Sequence, residues 1–340
     1  MPSSISNSNQ RLFDAPWLRT WILTAALAIA LAAGVELGWR SLGHRPNVND
    51  DFDNWCLQRD NASTGDVKTL AVLGISRAQL GFHTQTFREM FPGWSLANLP
   101  VEGLPPLATL RDLAADESFR GVALVEITEP GMLRHEWDAQ QEYVDYFHGT
   151  WRFDRRIVRR LANKIQSSLA MVSSPLCIRE LLAHAIEGQP IRPLYLVTLP
   201  DRSRLADFSR ADMDKLWQFL MGVIFENRGK LTSISRETWL TAIATFEEPA
   251  RRIQSRGGRV VFVRFPTSGA GSEVDKRNFP KADFWDVFEK ASGALVLHHE
   301  DVPRLRGFTT PDWSHLDQVD AARFTGALLA ELVDRGILQR

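Results

Sequence analysis

Lys68-Thr69-Leu70-Ala71-Val72-Leu73-Gly74-Ile75-Ser76 decides how this chain is read. Its apolar core is almost unbroken, which suits a strand buried on both faces of a parallel sheet rather than one with a wet face. The stretch after Ser76 carries Leu80, Phe82, Phe87, Met90 and Phe91 at amphipathic spacing and fits a crossover helix. Working outward, a second strand is expected near residues 94–99, a helix over 107–116 and a third strand over 121–127. Strand, helix, strand, helix, strand in that order predicts an α/β fold built on a doubly wound parallel sheet.

Between about residues 135 and 250 the pattern turns helical, over 143–169, 177–187 and 210–227, with a short apolar strand at 194–199. Sheet patterns return at 257–266 and 294–297. A last helix is expected over 319–336, with Asp317 as N-cap and Asp320 in the first turn, where the helix dipole favours negative charge. The expectation is one α/β domain over 67–340 carrying a helical insertion at about 135–250.

Lys and Arg number 40 against 41 Asp and Glu, a net charge of -1. Neither sign builds a field across the chain, which excludes a generally basic nucleic-acid binder. Two cysteines, Cys56 and Cys177, exclude a disulfide-dense scaffold, although one pair could form in an oxidising compartment. No metal or cofactor is expected. Average hydropathy hides an uneven distribution: from Trp17 to Trp39 the chain is apolar, and between Arg19 and Arg40 the one ionisable residue is Glu36. Twenty helical residues span about 30 Å, the thickness of a bilayer's hydrocarbon core, and Trp17, Trp21 and Trp39 stand where interfacial aromatics belong. The reading is a cytoplasmic tail (1–16), a transmembrane helix (17–39), a linker rich in Asn and Asp (40–66) and a domain outside the inner membrane, in the periplasm. A cleaved signal peptide is the alternative.

Ser76 follows the first strand by two residues. There a hydroxyl is presented at the carboxyl edge of the sheet, where open α/β folds bind ligands, although a serine at that position also serves as a helix cap. Asp312-Trp313-Ser314-His315, ahead of the last helix, supplies a matching base: an aspartate three residues before a histidine can hold Nδ1–H and leave Nε2 for the serine. Asp145 and His148 repeat the spacing, but inside the helical insertion.

Ser76 after the first strand, Asn98-Leu99-Pro100-Val101-Glu102-Gly103 after the second, and Asp312 with His315 before the last helix together resemble the SGNH (GDSL-like) hydrolase superfamily. The resemblance implies a flavodoxin-like sheet, Ser76 as nucleophile, His315 as general base and Asp312 as its orienter. It implies Gly103 as an oxyanion donor, with Asn98, Thr128 and Arg77 around the oxyanion and substrate. Two departures stand out. Gly-Asp-Ser becomes Gly74-Ile75-Ser76, and the third block's Gly-x-Asn-Asp becomes Ile127-Thr128-Glu129-Pro130, without the asparagine that completes the oxyanion hole. Losing one such donor costs on the order of 10²- to 10³-fold in rate. The chain is most similar to the membrane-anchored, extracytoplasmic branch, whose members assist O-acylation of cell-surface polymers beside membrane-bound O-acyltransferases. That implies a serine-dependent O-acyltransferase or acyl-esterase acting on a polysaccharide. The missing asparagine favours the alternative of a non-catalytic binding or assembly subunit.

Other features have plainer readings. Adjacent strand residues point to opposite faces, so His298-His299-Glu300-Asp301 reads as a loop at a strand end rather than a metal site. His83 reads as a helix-surface residue. Arg152, Arg155, Arg156, Arg159, Arg160 and Lys164 read as a solvated helix face, with attraction to anionic headgroups as the alternative.

Overall fold

The computed structural model describes residues 17–188, 190–222 and 234–339. Among them are the strands β1 (Thr69–Leu73), β2 (Ser95–Asn98), β3 (Val122–Glu126), β4 (Leu196–Thr198), β5 (Arg204–Ala206), β6 (Arg259–Arg264) and β7 (Leu295–His298). Five of these form one sheet in the order β2-β1-β3-β6-β7, parallel throughout, while β4 and β5 pair as an antiparallel hairpin. The order 2-1-3-4-5 among the sheet strands is the flavodoxin-like, doubly wound arrangement, with its switch point between β1 and β3. Alternation along the strands feeds two cores. Ala71, Leu73, Val125 and Phe262 face one, and Leu70, Val72, Leu124 and Val263 the other.

The helices are α1 (Trp17–Ser41), α2 (Phe52–Ala62), α3 (Ser76–Gly81), α4 (Thr84–Met90), α5 (Leu107–Ala115), α6 (Gln141–Gly149), α7 (Phe153–Ser168), α8 (Ile178–Glu187), α9 (Met213–Met221), α10 (Arg236–Ser255), α11 (Gly269–Asn278), α12 (Trp285–Ala291) and α13 (Gln318–Asp334). α2, α5, α10 and α12 cover the first core through Trp55, Leu110, Phe246 and Phe288. α3, α4 and α13 cover the second through Ala78, Phe87 and Phe324. Asp317 caps α13, accepting the Val319 N–H at 2.9 Å.

Several boundaries differ from the sequence expectation. Residues 40–66 are not simply a linker: α2 lies within them, capped by Asp51, and its Trp55 and Cys56 are fully buried. Its acidic residues hide this in sequence, because their partners are remote. Arg155, Arg156 and Arg159 of α7 pair with Asp53, Asp60 and Asp51. The basic run and the acidic run thus neutralise each other, so part of the basic face is not solvated. The insertion ends earlier than residue 250, since α10 is the crossover helix between β3 and β6, with Trp239, Ile243 and Ile253 in the core. Pro249 within α10 obscures its continuity in sequence. The expected helix over 143–169 is two helices, parted after Gly149. Of the helix expected over 210–227, residues 223–227 lie outside the described residues, as does the tail at 1–16.

α1 is long and apolar enough to cross a membrane. Residues 17–35 are exposed, and Glu36 is its one buried residue. Cys56 and Cys177 are both free, the first buried in α2 and the second exposed, so no disulfide joins them.

Candidate active site

Ser76 opens α3 directly after β1, at the carboxyl edge of the sheet and beside the switch point. The turn that delivers it needs Gly74. At φ +152° a Cβ there would meet Glu126 Oε2 at 2.7 Å and the Ala78 Cβ at 2.8 Å. From the loop before α13, His315 Nε2 comes to 2.8 Å from Ser76 Oγ, and His315 Nδ1 to 2.7 Å from Asp312 Oδ2. An ionised carboxylate only accepts, so Nδ1 carries the proton and Nε2 accepts the serine hydroxyl. Asp312 Oδ1 also accepts the N–H of Ser314 at 3.0 Å and of His315 at 2.7 Å. Burial pushes the Asp312 carboxyl up, but the bonds and charge of His315 and the bond from Ser314 N–H outweigh it, so it lies below the usual range. The sequence-level partners therefore meet in space. The second match does not pair internally: His148 bonds Asp112 rather than Asp145.

Trp313, between Asp312 and Ser314, adopts φ +69°, a left-handed conformation costly for a bulky residue. Its ring stacks on Trp217 at 6.0 Å and 10° between planes, and Trp217 Nε1 donates to the Pro311 carbonyl at 3.0 Å. Gly269 leaves room for this ring, since a Cβ there would lie 2.5 Å from Trp313 Cδ1. Two half-buried parallel indoles, Trp313 on the loop of the Asp312–His315 pair and Trp217 on α9, thus stand together beside that loop.

Beneath the site lies a buried ionic cluster that sequence reading missed. Glu126, the last residue of β3, accepts the Ile75 N–H at 3.1 Å. Burial pushes its carboxyl up, while Arg77, the Ile75 amide, Arg264 and His315 pull against that shift. Arg264, the last residue of β6, bonds Asp275 at 2.6 Å and lies 3.4 Å from Glu129. Gln140 was also missed; its Nε2 donates to the carbonyls of Gly74 and Leu104, tying the serine turn to the Gly103 turn. One signal was available: Glu126 and Arg264 are charged residues closing otherwise apolar strands at the active edge.

Of four residues expected around the substrate, three are placed differently. Arg77 is 1% exposed; its Nε donates to Ser314 Oγ at 3.2 Å and its Nη2 lies 3.6 Å from Asp275, so it braces the loop from below rather than facing substrate. Asn98 is buried and its Nδ2 donates to the Asp201 carbonyl, toward the insertion. Thr128 is buried, and its Oγ1 accepts the N–H of Gly131, within the 3-10 turn over Pro130–Met132, at 3.2 Å. Gly103 sits exposed in a tight turn at φ +71°, held to the site by Val101 N–H bonding the Gly74 carbonyl at 3.1 Å. His83 caps α4 through Nδ1 rather than standing on a helix surface. The rings of His298 and His299 stack at 4.8 Å, because the strand ends at His298 and its alternation stops there.

No protein-family model matches the chain, and no curated protein matches it. Among solved structures, the one described as "Crystal Structure of TesA" matches 79% of this chain and 99% of that chain, at 11% sequence identity and a TM-score of 0.35. A likeness this loose adds nothing to the geometry above.

Proposed function

We propose that the protein is a serine-dependent acyl-esterase or O-acyltransferase, anchored in the inner membrane by α1 and acting in the periplasm on an acylated polysaccharide or other cell-surface polymer. The supporting observation is the unbroken hydrogen-bonded chain from Ser76 through His315 to Asp312. Ser76 Oγ attacks the acyl carbonyl carbon as its proton passes to His315 Nε2. The same proton then goes to the departing oxygen as the carbon–oxygen bond breaks, leaving an acyl-enzyme. Water or a sugar hydroxyl resolves it by the reverse sequence. Asp312 keeps the imidazole in the required tautomer and stabilises the imidazolium. Backbone N–H groups of the Ser76 and Gly103 turns are the candidate oxyanion donors. The paired rings of Trp217 and Trp313 offer a flat apolar surface suited to a sugar ring.

A second reading, a non-catalytic binding or assembly subunit of a membrane acyltransferase complex, is favoured by one observation. The third-block position carries Thr128 in place of the asparagine that would complete the oxyanion hole, and its hydroxyl oxygen is turned to the Gly131 N–H. One experiment separates the two. The full-length protein should hydrolyse p-nitrophenyl acetate and take a fluorophosphonate label at Ser76, and Ser76→Ala and His315→Ala should each cut hydrolysis by about 10³-fold or more. Undiminished hydrolysis in both variants would overturn the mechanism. Absence of labelling and hydrolysis in the folded parent would favour the binding subunit.

A further inference from the structure

We infer that α7 and α8 lie on the surface of the bilayer that α1 crosses, with their apolar faces set into the lipid interface, so that the domain is held against the membrane rather than merely tethered to it. The inference rests on reading α1 as a membrane-spanning helix.

α7 is strongly amphipathic, and its apolar side points away from the protein. Phe153, Ile157, Leu161 and Ile165 recur every four residues as one stripe with Val158 beside it, and Phe153 and Leu161 are 71% and 60% exposed. The other side is occupied by α2: Arg155, Arg156 and Arg159 meet its acidic residues, and Asn163 Nδ2 donates to Asn54 Oδ1 at 2.9 Å. α8 repeats the pattern with Ile178, Leu182 and Ile186, all exposed. Leu169 and Val172, between the two helices, are exposed as well. Soluble proteins seldom leave so continuous a run of large apolar side chains in water.

The position of these helices names the occupant. Glu36 in α1 accepts the N–H of Ala170 and of Met171, each at 2.9 Å, and Arg40 Nη2 donates to the Ser168 carbonyl at 2.8 Å. The end of α7 is therefore clamped to α1 at residue 36. The exposed part of α1 before that point, residues 17–35, spans about 30 Å as a helix, one hydrocarbon thickness. Residues 168–171 thus sit where the chain leaves the bilayer, and the apolar stripes begin at that level. Arg160 and Lys164, exposed at the margin of the α7 stripe, are placed to meet headgroups, as in helices that lie in an interface. The β4/β5 hairpin joins this region to the nucleophile: Gly43, just after α1, takes a bond from Arg210, while Ala206 packs on Leu80 of α3.

The test uses full-length protein in vesicles of phosphatidylcholine and phosphatidylglycerol. In a Cys177→Ser background, where Cys56 is buried, an environment-sensitive fluorophore is attached at Leu161→Cys, Leu182→Cys, Leu27→Cys in α1, or Val67→Cys at the opposite, amino edge of the sheet. Nitroxide lipids labelled near the headgroup should quench the probes at 161 and 182, deeply labelled lipids should quench the probe at 27, and neither should quench the probe at 67. A quenched probe at 27 with unquenched probes at 161 and 182 would overturn the inference and leave the anchor standing; a blue-shifted but unquenched probe at 161 would mean that a second copy covers the stripe. An unquenched probe at 27 would remove the anchor and the inference with it.

Discussion

At the carboxyl edge of the sheet, charges are inside the protein; along α7 and α8, apolar side chains are outside it. The two regions invert the usual rule in opposite directions, and the partners differ accordingly. Arg77, Arg264, Asp275 and Glu129 come from four separate segments and pair with one another, while Glu126 accepts the Ile75 N–H, as buried charges need partners. Among the described residues nothing comparable covers the stripe on α7, and its neighbour is α1, a helix long enough to cross a membrane. The buried charges build a rigid floor under Ser76 and His315, while the exposed apolar face calls for a partner that is not part of this fold.

The comparison breaks most visibly if the buried pairs prove dispensable. Arg264→Met leaves Asp275 without its 2.6 Å partner and Glu129 without its nearby cation. Removing one member of a buried ion pair costs about 3–5 kcal/mol, because the other charge stays desolvated. The midpoint of chemical denaturation should fall accordingly, and Arg264→Met with Asp275→Leu should recover part of the loss. A single variant as stable as the parent would show that the cluster is better hydrated than its burial implies.

A smaller effect concerns acid. His298 lies beside this cluster with its pKa pushed down to about 2, first by burial and then by the charges of His299, Arg264, Lys281 and Lys276. The native ring therefore stays neutral, whereas in the unfolded chain it takes a proton below its ordinary value of about 6.5. More protons bind to the unfolded state in that window, so stability is fully present above about pH 6.5 and declines as pH falls, by about 1.4 kcal/mol per unit for this residue. Denaturation measured at pH 7, 6 and 5 should show the decline in the parent and a flatter profile in His298→Asn. Parallel profiles would mean that the ring is charged in the native protein.

The sheet was legible because residues 70–73, 122–125 and 260–263 of β1, β3 and β6 are apolar runs, and Ser76 and His315 because a hydroxyl and an imidazole at strand and loop ends stand out against few competitors. What stayed hidden depends on contacts distant in sequence. α2 looked like a polar linker because the arginines that neutralise Asp51, Asp53 and Asp60 lie about 100 residues later, a pairing that periodicity cannot reveal. Arg77 looked like a substrate ligand because it follows Ser76; its burial is set by Asp275 and Ser314, which only the folded sheet brings underneath it. Gln140 stood in a segment without pattern, and its worth comes from two carbonyls on separate turns.

The smallest effect belongs to the contact that holds α7 to α2. Arg156 of α7 lies 2.8 Å from Asp60 of α2, as close as many of the buried pairs, yet its side chain is 36% exposed. Distance alone would rank it with Arg264; solvent ranks it far below, since water screens the pair and rehydrates whichever partner remains. Arg156→Ala should cost within about 1 kcal/mol, and less still in high salt, as read from denaturation midpoints at two ionic strengths. A loss matching that of Arg264→Met would mean that α7 is held to α2 as firmly as the floor of the site is held together. Burial would then not be what separates the two regions. A small, salt-sensitive loss instead makes this pair a screened surface contact, and leaves the hold of α7 to the bonds of the buried Arg159 and Asn163 on one side and to whatever covers Phe153, Ile157 and Leu161 on the other.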